Sequence, residues 1–182
     1  MKNTENITGH TDGPLQLEAL SHMNQATFTR ELANIFEHSP WVAERAWNRR
    51  PFASLDALHA AMVDVVDQAS DAEKLALIRA HPELAGKQAR EGTLTDASAQ
   101  EQRGAGLDAC SADELARLNS LNSRYRDRFG FPFIIAVKGL DRHQIMDAMQ
   151  ARLSNSPEQE IHTCLAEIGK IACFRLEALF SA

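Results

Sequence analysis

Helix-start signals recur along this chain, and they constrain its fold more than any other feature of the sequence. Three serines are followed three residues later by an acidic or amide side chain, the capping-box pattern in which both residues satisfy backbone donors. The pairs are Ser70 with Glu73, Ser111 with Glu114, and Ser156 with Gln159. Asn24, Ser54 and Asp141 also precede stretches whose apolar side chains recur with helical spacing. The pattern predicts helices along nearly the whole chain.

The helical pattern continues without a domain boundary. Ser39 and Pro40 predict one more helix start, with a capping hydroxyl followed by a proline in the first turn. The terminal helix carries an apolar stripe formed by Ile161, Leu165, Ile168, Ile171, Ala172, Leu176 and Leu179. No repeat, linker or low-complexity block divides the chain. We therefore expect a flexible segment over residues 1–14 and a single all-α domain of about seven to nine helices over residues 15–182.

Two segments interrupt the helical pattern. Pro82 disfavours the helical conformation at His81, so a helix should end there. In 129-FGFPFIIAV-137, a glycine and a proline oppose helix formation, and the apolar run that follows lacks polar alternation. This run fits either a buried helix start or a short extended segment, and its backbone groups need partners in both cases.

The charge and the cysteines exclude several classes of protein. The 182 residues carry a formal charge of -6 without a basic cluster, so we expect no nucleic-acid partner. The three cysteines are widely spaced, which predicts free thiols in a cytoplasmic protein. The polar N-terminal segment resembles no signal peptide, and no stretch reaches the roughly 18 apolar residues of a membrane span. Without an HExxH motif or a zinc-like spacing, the sequence predicts no metal site. It also contains no GxSxG elbow, the motif of a serine nucleophile.

His81 is the first candidate for chemistry. A histidine that follows a helix is most often a surface residue or a partner for the negative end of the helix dipole. An imidazole nevertheless has a pKa close to neutrality, so it suits proton transfer when a carboxylate lies nearby. The residues around His81 leave both interpretations open.

A polar stretch, 98-SAQEQRGAGL-107, supplies a candidate partner for that histidine. If it is helical as far as Gly104, then Ser98, Glu101 and Gln102 lie on one face of the helix. This face presents a hydroxyl, a carboxylate and an amide together, as a binding site does. The alternative is an ordinary solvated face.

Arg175 lies within or beside the apolar stripe of the terminal helix. It follows Ile171 by four residues and precedes Leu179 by four, so its side chain starts close to the core. An unpaired buried charge is very costly, so Arg175 needs an anion. That anion is either a protein carboxylate in a structural salt bridge or a substrate carboxylate bound by the planar guanidinium.

Four segments in order, supported by 36-FEHSPW-41, carry a resemblance to a known family. They are 81-HPELAGK-87, 98-SAQEQRGAGL-107, 119-NSLNSRYRDRFGFPFIIAVKG-139 and 167-EIGKIACFRL-176. Together they resemble the 2-oxo-4-hydroxy-4-carboxy-5-ureidoimidazoline (OHCU) decarboxylase family, over nearly everything after the first fifteen residues. The resemblance implies an all-helical, cofactor-free and typically homodimeric enzyme that acts on a small ureidoimidazoline and completes the conversion of urate to (S)-allantoin.

The resemblance also implies roles for particular residues. His81 matches the catalytic histidine, and Glu101 is expected to orient its imidazole or to hold the substrate hydroxyl. The implied substrate-binding residues are Pro82, Ser98, Ala99, Gln100, Glu101, Gln102, Phe133, Ile134, Ile135, Ala136, Val137 and Arg175. The alternative is a non-catalytic helical adaptor, in which the same segments shape a protein-binding groove.

Overall fold

Helices make up nearly all of the regular structure. The computed structural model describes residues 15–181, so the predicted flexible segment 1–14 lies outside the described residues. Residues 15–181 contain ten α-helices and no strand, which confirms the all-α prediction, and seven of these helices have eight or more residues. The bounds are α1 Leu17–His22, α2 Gln25–Leu32, α3 Trp41–Ala46, α4 Leu55–Asp67, α5 Asp71–Ala80, α6 Lys87–Glu91, α7 Asp96–Gly104, α8 Ala112–Phe129, α9 Arg142–Arg152 and α10 Pro157–Phe180. Across that range, no helix has the length and apolar character needed to cross a membrane.

Most of the helix starts lie where the capping residues predict them. The three serine capping boxes form at the starts of α5, α8 and α10, and Asp141 forms a fourth with Gln144 at α9. The prediction for Ser39 was wrong in detail. Its hydroxyl donates to the carbonyl of Glu37 (2.9 Å) instead of capping α3, which begins at Trp41 without a side-chain cap. The hydroxyl therefore fixes the turn before α3.

The C-terminal helix α10 lies at the centre of the packing. It contacts α4 and α5, while α3 packs between α2 and α4, and α8 packs on α9. The stripe predicted for α10 is largely buried, with Ile168, Ala172 and Leu176 at no more than 1% exposure. A fully buried isoleucine or leucine side chain stabilises the fold by about 1.5–3 kcal/mol. This packing holds Arg175, on the same helix, inside the protein.

The segment after α8 is not helical, which resolves the choice left open by the sequence. Gly130 ends α8 in the left-handed region (φ 78°), where a side chain would be strained. Residues 131–137 then continue without helix or strand. Phe131 and Phe133 pack edge-on against Tyr125, with ring centroids 6.0 and 5.3 Å away. The aromatic residues of this motif thus anchor an irregular segment in the core.

Candidate active site

His81 lies where Pro82 forces α5 to stop. The helix ends at Ala80, and His81 has an extended backbone (φ -75°, ψ 138°), as predicted. The loop that follows is fixed by buried amides on two helices. Asn122 donates to the carbonyl of Leu84 (2.9 Å), and Gln102 accepts from the backbone N–H of Ala85 (2.9 Å).

Strain in this loop shows how firmly it is held. Ala85 has a φ of 48°, in the left-handed region that non-glycine residues rarely adopt. Such a conformation costs about 1–3 kcal/mol and persists only where surrounding contacts determine it. The hydrogen bond from Ala85 to Gln102 is one such contact. The loop therefore holds His81 in one orientation.

His81 is a buried and neutral imidazole. Its side chain is inside the protein, with only 7% of the residue exposed, and its Nε2 has no hydrogen-bond partner among the described residues. Burial lowers the pKa of His81 from 6.5 to about 4; nearby Glu37 opposes the shift and the Arg175 cation supports it. The surface-residue interpretation is therefore wrong, and His81 carries no charge at neutral pH.

The polar face predicted on α7 also forms. Ser98 and Gln102 are buried, as their shared position on one face requires, while the Glu101 side chain is 30% exposed. The interpretation as an ordinary solvated face is therefore wrong for two of the three. No hydrogen bond joins Glu101 to His81 in residues 15–181; both Glu101 oxygens accept from Arg175.

The guanidinium of Arg175 is fully occupied by protein groups. Its Nε and Nη2 form a bidentate pair with Glu101 (2.8 and 3.1 Å). Its Nη1 donates to Glu37 (2.8 Å) and to the carbonyl of Asn34 (3.1 Å), and Nη2 also reaches Ser98 (3.4 Å). All five N–H donors are used. In this arrangement Arg175 forms the structural salt bridge that the sequence offered as one of two alternatives.

Glu37 is the residue of this cluster that sequence reasoning missed. It is 2% exposed, and its Oε1 accepts from the hydroxyls of Thr95 (2.8 Å) and Ser98 (3.2 Å). Burial opposes ionisation, but the charge of Arg175 and the hydrogen bonds hold the pKa of Glu37 below 4.5. The supporting segment 36–41 contained this residue, although an acid before a turn has no periodic pattern that marks it as buried.

A small cavity brings most of the predicted site residues together. Its volume is about 30 Å³, little more than one water molecule occupies. The predicted residues in its wall are His81, Pro82, Ser98, Glu101, Gln102, Phe133, Ile134, Ile135 and Val137. Segments far apart in the sequence therefore meet at one place, as the resemblance implied.

A larger groove of about 680 Å³ adjoins this cavity, with Glu101 in the wall of both. Three of the predicted residues, Gln100, Ala136 and Arg175, line the groove instead of the cavity. Ala99 is in neither wall. A ligand larger than a few atoms that contacts His81 therefore has to extend from the cavity into the groove, past Glu101.

The irregular segment 133–137 has side-chain partners for part of its backbone. Arg152 donates to the carbonyl of Ile134 (2.7 Å), and Glu167 accepts from the N–H of Ala136 (2.8 Å). Neither anchor was predicted, because neither lies in a sequence pattern that points to the segment. In residues 15–181, the N–H groups of Ile135 and Val137, like that of Phe133, donate to no protein group, so they are among the amides available to a ligand.

The fold and the site define a class of protein: an all-helical domain in which a neutral histidine lines a small cavity and an arginine paired with two carboxylates lines the adjoining groove. Residues 15–181 include no group of three His, Cys, Asp or Glu side chains that could hold a metal ion. The family model for OHCU decarboxylase matches residues 21–177. The chain belongs to this family.

Individual relatives agree with the family match. The chain is 41% identical over 165 residues to the OHCU decarboxylase of Halalkalicoccus jeotgali, covering 91% of this chain and 92% of that protein. It is 42% identical over 166 residues to a uric acid degradation bifunctional protein of Bacillus sp. (strain TB-90), covering 91% of this chain but only 32% of that protein. A crystal structure of (S)-allantoin synthase superposes with a TM-score of 0.72 at 32% identity, covering 91% of this chain and 53% of the other. The chain thus spans nearly all of the Halalkalicoccus relative and about a third of the bifunctional one.

Proposed function

We propose that this protein decarboxylates OHCU to (S)-allantoin in urate degradation. Membership of the OHCU decarboxylase family supports the reaction. The observation that carries the mechanism is the buried, neutral His81 with an unpartnered Nε2 in the wall of a cavity. A histidine kept uncharged at neutral pH can accept a proton from a bound substrate and return it to carbon.

The substrate has the chemistry to lose CO₂ without an added electron sink. Its C4 carries the hydroxyl and the carboxylate, and the adjoining ring contains a C=N bond. When the bond from C4 to the carboxylate breaks, its electron pair forms C4=C5, and the C=N pair moves to nitrogen, which takes up a proton. The enol then loses its hydroxyl proton and gains one at C5, giving allantoin. The protein supplies orientation and proton transfer, so we propose no cofactor.

In this scheme His81 is the group that moves a proton. Its neutral imidazole accepts the proton of the C4 hydroxyl as the ketone forms. The resulting imidazolium delivers a proton to one face of C5, which sets a single configuration. General acid–base catalysis of this type contributes about 10²- to 10⁴-fold in rate.

Arg175 binds the substrate by exchanging one of its partners. The bidentate edge of Arg175 that now holds Glu101 has the geometry that a substrate carboxylate needs. Glu101 is the partner that can leave, because its side chain is 30% exposed whereas Glu37 is 2% exposed. Once displaced, Glu101 is free to orient the His81 imidazole, and Arg175 keeps its bond to Glu37.

The remaining cavity residues hold the rest of the substrate. Ser98 and Gln102 lie on the same buried face and bind the ureido group. The free N–H groups of Ile135 and Val137 bind a ring carbonyl, while Pro82 packs against the ring beside His81.

The optical activity of the product tests this proposal. OHCU is generated fresh, and allantoin formation is followed by circular dichroism with and without the protein. Because OHCU carries its own electron sink, we expect the uncatalysed reaction to give both enantiomers and the protein to give (S)-allantoin faster. A protein that changes neither the rate nor the optical sign is not an OHCU decarboxylase, and the adaptor interpretation then gains support.

Two further properties belong to this proposal. We expect a homodimer, because the groove is lined by the partly buried apolar side chains of Phe174 and Leu179. Sedimentation analysis will show whether the mass is twice 20.1 kDa. We also expect a cytoplasmic location, consistent with free thiols at all three cysteines. Cell fractionation with an antibody tests it.

A further inference from the structure

Arg152 connects a buried carboxylate to the backbone of the cavity wall. At the end of α9, its Nε and Nη2 donate to Glu160 at 2.8 to 3.1 Å. Its Nη1 donates to the carbonyl of Ile134 (2.7 Å). The guanidinium also lies over the ring of Phe133, 4.3 Å from its centroid. One side chain thus contacts two consecutive residues of the segment 133–137.

Glu160 makes this contact rigid. It is completely buried (0% exposed), and it also accepts from Asn155 (2.8 Å) and from the hydroxyl of Tyr125. Burial opposes its ionisation, but the hydrogen bonds from Arg152, Tyr125 and Asn155 keep the pKa of Glu160 below its ordinary value. A guanidinium held by a fully hydrogen-bonded carboxylate has a single position and orientation.

Stability alone does not account for a charged pair at this place. Replacing a buried ion pair by apolar side chains of similar volume is often neutral or stabilising. What such a pair does supply is a unique geometry, and here that geometry is imposed on the carbonyl of Ile134. On the other side of Ile135, Glu167 holds the N–H of Ala136 (2.8 Å).

We propose that Arg152 is a positioning residue for the substrate. With Ile134 and Ala136 held by side chains, the N–H groups of Ile135 and Val137 face the ligand in one fixed arrangement. This inference rests on the proposed function, since it assumes that the segment binds OHCU. Arg152 itself is not in the wall of the cavity or of the groove, so it acts through the backbone of Ile134.

The test compares two arginines with the same kind of contacts. Arg50 also lies over an aromatic ring, 3.8 Å from the centroid of Trp47, and donates to the backbone carbonyls of Ser21 and Met23 (3.1 and 3.0 Å), but it is not in the wall of either hollow. Arg152→Lys and Arg50→Lys keep the positive charge but replace the planar guanidinium by an ammonium group, which cannot make the same set of hydrogen bonds. Both variants are assayed with OHCU at a temperature well below their unfolding midpoints.

Arg152→Lys should lower kcat/KM by about tenfold to a hundredfold and reduce the enantiomeric purity of allantoin, because a misplaced substrate reacts poorly. Arg50→Lys should leave both unchanged. If Arg152→Lys does not fold, the double variant Arg152→Met with Glu160→Gln removes both charges and leaves no unpaired one, and it should show the same loss. A folded Arg152 variant within twofold of wild type, or an equal loss in Arg50→Lys, overturns the inference.

Amide hydrogen exchange separates this inference from the proposed function. A peptide covering residues 131–137 should exchange faster in Arg152→Lys than in wild type, and not in Arg50→Lys. Failure of wild type to convert OHCU rejects the proposed function alone. Unchanged exchange in Arg152→Lys rejects the positioning role, whatever the substrate.

Discussion

Acidification should destabilise this protein through His81. Its folded-state pKa of about 4 lies below its ordinary value of 6.5, so between these values the unfolded chain binds a proton that the native protein does not. Stability contributed by a neutral buried imidazole is therefore present above about pH 6.5 and is lost as the pH falls towards 4. Glu37 does not reverse the sign, because its pKa also lies below its ordinary value, so that acid destabilises the folded protein through this group as well.

The size of the effect follows from the two pKa values. With 6.5 in the unfolded chain and about 4 in the folded one, linkage gives a loss of about 2 kcal/mol between about pH 7 and pH 5. Urea unfolding at both pH values measures this loss. Other groups also titrate, so the comparison is with His81→Gln, which lacks the imidazole. Wild type should lose about 2 kcal/mol more than the variant.

An NMR titration of the imidazole supplies an independent measurement. The ring resonances of His81 should be those of a neutral imidazole at pH 6. Equal pH dependence in wild type and His81→Gln, together with a charged His81 at pH 6, would refute the argument that burial keeps this residue neutral.

Three further predictions concern the proposed chemistry and its support. His81→Asn should lower kcat by about 10²- to 10⁴-fold in a folded protein. The assay uses freshly generated OHCU, and full turnover in this variant would remove His81 from the mechanism. Arg175→Met should raise KM by more than it lowers kcat, because it removes a binding contact; an unchanged KM would mean that Arg175 serves only the salt bridges seen in the protein. Glu37→Gln leaves Arg175 paired with Glu101 but replaces charge-assisted hydrogen bonds by neutral ones, so it should cost about 1.5–3 kcal/mol of unfolding free energy. Urea unfolding at neutral pH measures this loss, and a value below about 0.5 kcal/mol, as at an ordinary surface site, would contradict this role.

Local rules in the sequence predicted most of the helix boundaries. Ser70, Ser111 and Ser156 mark helix starts because a cap and its third residue satisfy each other within one turn, which needs no tertiary information. Ser39 carries the same kind of signal but donates to the carbonyl of Glu37. That partner lies only two residues back in the turn, so the serine had two local hydrogen-bond partners to choose between, and the capping pattern does not decide which one it takes.

The site was only partly predictable from the sequence. The stripe around Arg175 indicated that it needs an anion, and the structure provides two, Glu37 and Glu101. Which carboxylates these are depends on the packing of α10 and α7 against the turn before α3. The arrangement of residues 131–137 was also open, because an apolar run with glycine and proline fits more than one backbone conformation. The residues that hold it, Arg152 and Glu167, lie on other helices. The apolar periodicity of those helices predicts the helices themselves but not their contacts with this segment.

The groups that surround Arg175 come from distant parts of the chain. This affects how the protein gains and loses its activity. Arg175 is separated from Glu37 by 138 residues and from Glu101 by 74. Contacts between such remote positions form late in folding, after most of the chain-closure entropy has been overcome. A fragment that lacks α10 lacks Arg175, so no stretch shorter than residues 37–175 contains the arginine and both of its carboxylates. Turnover should therefore disappear in step with global unfolding, which makes it a sensitive report on the integrity of the entire helical core.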